Sequence, residues 1–562
     1  MYILGLNGFA GRSHDASACL VKDGKIISAA EEERFIRRKH AYDSFPHNAA
    51  KFCLESEGIK LDDVDYVAVG WNLPFQYLSR NIPWKFTNQD LSDMFFPKKY
   101  FPRTKTPKIE FVDHHLAHAS SAYRCSGYDR SAILVIDGQG EHSSSSIWVG
   151  SSNGIKLVKT FPIKDSLGYF YEALTQYCGF HSDDPGKLMG LAPYGTPTYD
   201  LGQFFNFDHD DFSINIPTVT LGKGGELDEQ REVTENWFSN FARLCSKNEP
   251  RFSYDHSTGR FRETVSLNYN YENLAASGQR ILEESMLYLV EMSVKATGSG
   301  NLCLAGGVAL NCSANGRILR SGLVESLFIQ PVANDAGCSI GAALELSSQL
   351  DTIGNQQLRD AYLGPEYSDE SIGETLKALG LRYSHLEDIE AKAADLIAQN
   401  RIIGWFQGRM EIGPRALGHR SIIANPKSVK TKDIVNARVK FRESFRPFAP
   451  SITGDRAIEY ISGCRDSPFM LLNYAVDREK IDCLGAVTHV DGTTRPQTVE
   501  KADEKYYGLL EEVEHRIGVP AVLNTSFNRK GEPIVCTPKD AVECFFGSDI
   551  DYLVMGNLIV QK

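Results

Sequence analysis

At 562 residues, 42% apolar and 23% charged, the chain is long enough for two to four domains with large cores. Its 72 acidic side chains against 60 basic ones leave a formal net charge of −12, which argues against a nucleic-acid coat or a binder of anionic membranes while allowing one local cationic pocket. Apolar runs stay short of the ~20 residues of a membrane span, and the start, MYILGLNGFAG, enters a strand pattern without a charged-then-apolar leader, so the expected address is cytoplasmic.

In chain order, an apolar run (Tyr2–Asn7) leads into a polar loop holding His14. A second run (16–21) turns at Lys22-Asp23-Gly24 into a third (26–30). The pattern recurs at Ser131–Ile136, with the loop Asp137-Gly138-Gln139-Gly140-Glu141, a run at 145–149, a Ser152-Asn153-Gly154 turn and a run at 155–161. Strand, polar loop, strand, glycine turn, strand is an antiparallel meander. Repeated once among helical segments, it predicts a duplicated α/β fold whose two loops face a common cleft, the plan of actin-like kinases and chaperone ATPases.

Between the meanders, 71–108 is aromatic-rich and irregular, and reads either as a wall of an acceptor pocket or as a contact of a homodimer. Next comes Asp113-His114-His115-Leu116-Ala117-His118, after a strand at 109–112 and opening a helical run. At i,i+4 His114 and His118 share a helix face; His115 with His118 at i,i+3 competes. Asp137 at its loop tip and Asp335 in PVANDAGCSIGAA add carboxylates. Two imidazoles and two carboxylates suit Fe²⁺, Mn²⁺ or Zn²⁺, and the 12 scattered cysteines form no structural zinc pattern and read as reduced core thiols.

Further on, 200–266 is polar and weakly patterned, and reads as an insertion or loop cluster. A long helix is predicted at 273–297. A strand at 301–304 meets Ala305-Gly306-Gly307-Val308 and a helix at 311–319. Such a step lets a ligand approach the backbone, or simply makes a tight turn. A helix at 341–350 precedes a boundary, giving domains 1–355 and 356–562. In the second domain, 404–450 carries Arg409, Arg415, Arg420, Arg438, Lys440, Arg442 and Arg446 among glycines and apolar residues. A half-buried block of forked donors with few nearby carboxylates predicts a phosphate site; a solvated basic face is the competing reading.

The strings AAEEERFIRRKH, VDHHLAHASSA, IDGQGE, GKLMGLAPYG, GGVALNCSANG, NDAGCSIGAA, GWFQGRMEIGPRALGHRSI, NARVKFRESFRPFAPSI, DGTTRPQTV and LNTSFN occur in that order. With them the whole chain resembles the bacterial O-carbamoyltransferases of natural-product and nodulation-factor biosynthesis, which modify aminoglycosides, cephems and aminocoumarins. The resemblance implies an actin-like (ASKHA, RNase H-like) domain, related to the threonylcarbamoyl-transfer subunit of tRNA modification, followed by a YrdC-like domain. It also implies the chemistry: carbamoyl phosphate and ATP, with Mg²⁺, give carbamoyl-adenylate in the C-terminal domain, and a hydroxyl of a small molecule takes the carbamoyl group in the N-terminal domain as AMP leaves.

By the same resemblance, Arg415, Lys440, Arg446, Met470, Arg495, Asn524 and Ser526 match the carbamoyl phosphate and ATP site, with Lys440 catalytic. His114, His118 and Asp335 match metal ligands, Fe²⁺ first with Mn²⁺ or Zn²⁺ as alternatives, and Asp137 adds a contact there and to the nucleotide. Gly168, Gly307 and Asn311 match a nucleotide site. His14 matches the residue that orients or deprotonates the acceptor, and Lys39 and Asp228 the acceptor pocket. His419 departs from the pattern, where relatives more often carry Asn. No nucleic-acid or membrane partner is implied. A tRNA or protein carbamoyl or threonylcarbamoyl transferase and a nucleotide-gated actin-like scaffold are the alternatives; the hydrogenase-maturation carbamoyl dehydratase would bring CxxC pairs that this chain lacks.

Overall fold

The computed structural model describes residues 1–9, 13–208, 211–217, 229–245, 271–351 and 354–562, and the backbone of 252–255 and 260–263. Contacts gather the chain into two units, one of Met1–Gly127 with Pro331–Lys562, the other Tyr128–Gln330. The division at 355/356 read from the sequence follows the chain in order, whereas the contacts join its two ends.

In the first unit, β1 (Tyr2–Asn7), β2 (Ser17–Lys22) and β3 (Lys25–Glu31) form an antiparallel meander. The two-residue connection between β2 and β3 is Asp23-Gly24, with φ of 48° and 76°. Positive φ at both positions defines the turn whose twist matches a hairpin. On the other side of β1, β4 (Tyr66–Val69) and β5 (Lys108–Phe111) add in parallel, giving the order β3-β2-β1-β4-β5. In the second unit, β6 (Ser131–Ile136), β7 (Ser145–Ser151) and β8 (Gly154–Phe161) form the second meander. Two parallel strands, Asn301–Ala305 and Ser326–Ile329, extend it beyond β6. Both sheets therefore run three antiparallel strands followed by two parallel ones. This is the duplicated actin-like α/β plan predicted from the meanders.

Helix Gly337–Leu350 presses on β1 and on helix His114–Ser126 because small residues line the contact. A Cβ on Gly341 would stand 1.7 Å from the Ala117 carbonyl oxygen, and one on Gly70 would stand 2.8 Å from Cys338 Cβ. That approach carries Asp335, just ahead of the helix, to the histidines of its neighbour.

Two sequence readings are corrected. The segment 71–108 contains two helices, Leu73–Ser79 and Asn88–Phe95, each with a side-chain cap from Asn72 or Thr87. Within 200–266 stands a helix, Glu229–Leu244, whose Val233, Trp237 and Phe241 are buried at i,i+4,i+8. That narrow stripe, set among polar residues, gives a weak period. The predicted helix at 273–297 is present as Glu272–Thr297.

The rest of the first unit is built on an eight-stranded sheet. Its centre is Ile403–Phe406 beside Arg420–Ala424, followed by Ala521–Ser526 and Ala449–Thr453. Ile403, Trp405, Ile423, Val522 and Val554 pack under helices Ile389–Ala398 and Glu504–Ile517. Burial of each such side chain contributes about 1.5–3 kcal/mol. Lys440 ends a π-turn, Val435–Val439, which aims it at the end of strand Ala521–Ser526.

Candidate active site

The helical spacing of His114 and His118 brings their Nε2 atoms to 3.2 Å from each other. Asp335 Oδ1 lies 3.5 Å from the first and 3.7 Å from the second. Both imidazoles are fully buried and Asp335 nearly so. His114 Nδ1 lies 3.1 Å from the Gly70 carbonyl oxygen, which can only accept, so the proton sits on Nδ1. Trp71 stacks on the same ring at 3.8 Å and fixes its plane. In neutral His114 the Nε2 lone pair therefore meets a second imidazole nitrogen and a carboxylate oxygen. A pocket of converging acceptors is satisfied by a divalent cation, and an N,N,O donor set fits Fe²⁺, Mn²⁺ or Zn²⁺. Burial works to raise the pKa of Asp335, but the neighbouring imidazoles of His14, His114 and His118 outweigh it and lower it. Cys338, which sequence reading passed over, puts its sulfur 3.6 Å from His114 Nδ1, on the side facing Gly70.

His14 is half exposed, with Nε2 at 3.9 Å from Asp335 Oδ2 and Nδ1 at 3.2 Å from Asp15 Oδ2. Asp15 is buried and accepts from His40 Nδ1 at 2.8 Å. Burial works to raise its pKa, yet hydrogen bonds from His14 and His40 prevail and hold the carboxyl well below the usual range. Lys39 is exposed on the adjoining turn, and its charge reaches Lys440. Asp228 lies outside the described residues.

Asp137 belongs to the second unit, where its N–H donates to the Ser144 carbonyl and its Oδ1 accepts from Gly307 N–H at 3.1 Å. A Cβ on Gly168 would stand 2.6 Å from Gly138 N and 2.7 Å from the Asp137 carbonyl oxygen, so only glycine lets this helix start against the Asp137 loop. Asn311 caps helix Cys312–Arg320 through Ala314 N–H and exchanges hydrogen bonds with Gln279. Asp137, Gly168 and Gly307 thus form one cradle, and the Asn311 amide serves the helix beside it.

The arginine block divides by role. Arg420 is fully buried, donates to the carbonyls of Gln407, Gly408 and Pro365, and lies 3.6 Å over the Phe406 ring. Burial lowers its pKa to about 10, opposed by Glu411. Arg409 likewise donates to Ile27 and Leu363 carbonyls. These two cations bolt the backbone together.

Lys440 Nζ donates to Ser526 and Asn528, at the carbonyl and side-chain oxygen of each. Burial lowers its pKa well below the ordinary lysine value, and the like charges of Arg442, Arg446 and Lys39 lower it further. Arg442 is lowered too, by burial and then by Arg446 and Arg495. Lys440, Arg446, Arg495 and Ser526 are therefore drawn together, with Arg442 added. Asn524 Nδ2 donates to the Ala416 carbonyl beside Arg415 and to Ser451. Met470 is buried with φ of 55°, a left-handed conformation that is rare for its side chain.

The α/β fold thus carries a histidine–carboxylate cluster that could hold a metal ion and, in its eight-stranded region, a cluster of buried cations around Lys440. A carbamoyltransferase N-terminus model matches residues 2–344 and a carbamoyltransferase C-terminus model matches 394–562. The chain belongs to the carbamoyltransferase family. It is 37% identical to nodulation protein NolNO of Sinorhizobium fredii, over 98% of this chain and 79% of that one. It is 39% identical to nodulation protein NolO of Bradyrhizobium diazoefficiens, over 80% and 79%. Among solved structures it overlaps full-length HypF in its phosphate- and nucleotide-bound form, with 13% identity and a TM-score of 0.33 over 63% of this chain and 56% of that one. Component A of the Acidaminococcus fermentans (R)-2-hydroxyglutaryl-CoA dehydratase overlaps with 12% identity and a TM-score of 0.32, over 62% and 98%. Among the described residues, no helix is long and apolar enough to cross a membrane.

Proposed function

We propose that this carbamoyltransferase is ATP-dependent, draws its carbamoyl group from carbamoyl phosphate and transfers it to a hydroxyl of a small molecule. The carrying observation is the crowd of like charges around buried Lys440. Desolvated cations in mutual reach are unfavourable alone and become favourable around a polyanion. Joining two phosphate-bearing substrates requires such a site.

Arg415, Lys440, Arg446, Met470, Arg495, Asn524 and Ser526 hold carbamoyl phosphate and Mg-ATP, and 356–562 takes the YrdC-like, adenylate-forming role. Water releases phosphate from carbamoyl phosphate and leaves carbamate. A carbamate oxygen then attacks the α-phosphorus of ATP, the bond to pyrophosphate breaks, and Lys440 with its arginines balances the departing charge. The product, carbamoyl-adenylate, is used by the actin-like region, 1–355, where Asp137, Gly168, Gly307 and Asn311 take its nucleotide part.

His14 Nε2 accepts the proton of the acceptor hydroxyl as that oxygen bonds to the carbamoyl carbon, the bond to the AMP phosphate breaks, and AMP leaves. Lys39 and Asp228 line the acceptor side. His114, His118 and Asp335 would hold a divalent cation, which when bound would supply Lewis-acid polarisation there. The test is product analysis of wild type given ATP and carbamoyl phosphate, with glycerol as a hydroxyl acceptor: pyrophosphate and AMP are expected, and both depend on carbamoyl phosphate. ADP formed regardless of carbamoyl phosphate overturns the reading.

A further inference from the structure

The polar loop after β1 and the short turn Lys39–Ala41 meet at one carboxylate. Asp15 Oδ2 lies 3.2 Å from His14 Nδ1, and Asp15 Oδ1 lies 2.8 Å from His40 Nδ1. Asn334 Nδ2 donates to Oδ2 at 2.9 Å, from the residue next to Asp335. The main chain locks the arrangement: Asp15 N–H donates to the His40 carbonyl at 2.6 Å, and Asn7 Nδ2 donates to the carbonyls of His14 and Asp15. Asp15 and His40 both have positive φ, 54° and 62°, a conformation unfavourable for residues with a side chain that persists where surroundings over-determine it.

We infer that Asp15 is a positioning residue for His14, holding the proton on Nδ1 so that the Nε2 lone pair is the one presented to an acceptor hydroxyl. A carboxylate only accepts, so each imidazole facing it must donate through Nδ1. Free histidine has no such constraint, and its ring can turn about χ2; Asp15 stands within hydrogen-bond distance of Nδ1, whereas Asp335 Oδ2 is 3.9 Å from Nε2, too far to hold a proton there, so Asp15 sets the tautomer and the orientation. Asn334 and His40 serve Asp15 in turn by fixing its plane. In the transfer step the hydroxyl proton goes to His14 Nε2, and the imidazolium that forms is stabilised by the anion at its other nitrogen. The proton later leaves to water, and Asp15 stays ionised throughout. The catalytic part of this inference rests on His14 acting as proposed above.

Two measurements on the full-length protein separate the inference from the reading beneath it. In protein labelled with ¹⁵N-histidine, with the His14 signal assigned by its loss in His14→Asn, neutral His14 should be the Nδ1–H tautomer. In Asp15→Ala it should shift toward Nε2–H. The second measurement is AMP release from ATP and carbamoyl phosphate, with glycerol as the hydroxyl probe. Asp15→Ala and His14→Ala should each lower the limiting rate by about 100-fold, with the KM for glycerol unchanged. The double variant should be no slower than either single one. Asp15→Asn, which keeps the size but cannot accept from both rings, should fall between and guards against a folding defect in the alanine variant. If His14 keeps Nδ1–H without Asp15, or if the two losses multiply, the inference is overturned. If His14→Ala releases AMP at the wild-type rate while the tautomer still depends on Asp15, the positioning contact stands and the assignment of His14 as base fails.

Discussion

Gly341 rests so close to Ala117 that a Cβ on it would stand 1.7 Å from the Ala117 carbonyl oxygen. That contact sets how near the helix behind Asp335 can come to the helix bearing His114 and His118. Gly341→Ala should therefore push the helices apart, at a cost of about 3 kcal/mol, and loosen the donor set with them. Thermal melting should show a fall of several degrees. A titration with Zn²⁺ should show weaker binding than wild type.

Ion removal offers an independent check. Wild type should hold about one equivalent of a divalent transition metal per chain, and His118→Ala should hold far less; elemental analysis after dialysis reads both. A ligand bound only by the native state at 100 times its Kd adds about 2.7 kcal/mol of stability. Added metal should therefore raise the melting temperature of wild type and leave that of His118→Ala unmoved.

The arginine block should split by substitution with lysine. Arg420 reaches carbonyls of Gln407, Gly408 and Pro365 through one planar fork, which an ammonium cannot copy. Arg420→Lys should cost about 3 kcal/mol, visible as a lower melting temperature. Arg446→Lys should leave melting within a degree, because the side chain is half exposed. It should raise the KM for ATP or carbamoyl phosphate about tenfold, in keeping with a lost bidentate phosphate contact.

His419 lies flat on Tyr362 at 3.6 Å and has Nε2 3.4 Å from Asp503. Burial lowers its pKa, but the hydrogen bond and charge of Asp503, with Glu411 and the Arg409 carbonyl, outweigh it and raise the pKa above 6.5. A raised folded pKa means that the folded state binds the proton more tightly than the unfolded chain. The contribution is complete below the unfolded value and is lost as pH rises through the folded one. His419→Asn should flatten the fall in melting temperature as pH rises above about 6.5; an unchanged slope would assign that fall to other groups.

What the sequence reveals here depends on whether a feature has a side-chain signature. Asp23-Gly24 and the alternating runs around it carry one, so the duplicated sheet is legible, as is the face shared by His114 and His118. Helix Glu229–Leu244 is not, because five large apolar residues among eleven polar or small ones barely disturb the mean. The Gly70 carbonyl that fixes His114 has no signature at all, since every residue has a carbonyl. Arg420 and Arg446 look alike as letters, and only burial separates them. Asp15 stands beside His14 in SHDAS, but the 25-residue reach to His40 exists only once the loop folds back.

The most direct test of two separate sites is pyrophosphate release measured beside carbamoyl transfer in Lys440→Ala and His114→Ala. Lys440→Ala should abolish pyrophosphate release and so all transfer. His114→Ala should still release pyrophosphate when given ATP and carbamoyl phosphate, yet transfer nothing to a hydroxyl. Pyrophosphate release lost in His114→Ala, or retained in Lys440→Ala, would contradict the division of labour between the histidine pair and the arginine block.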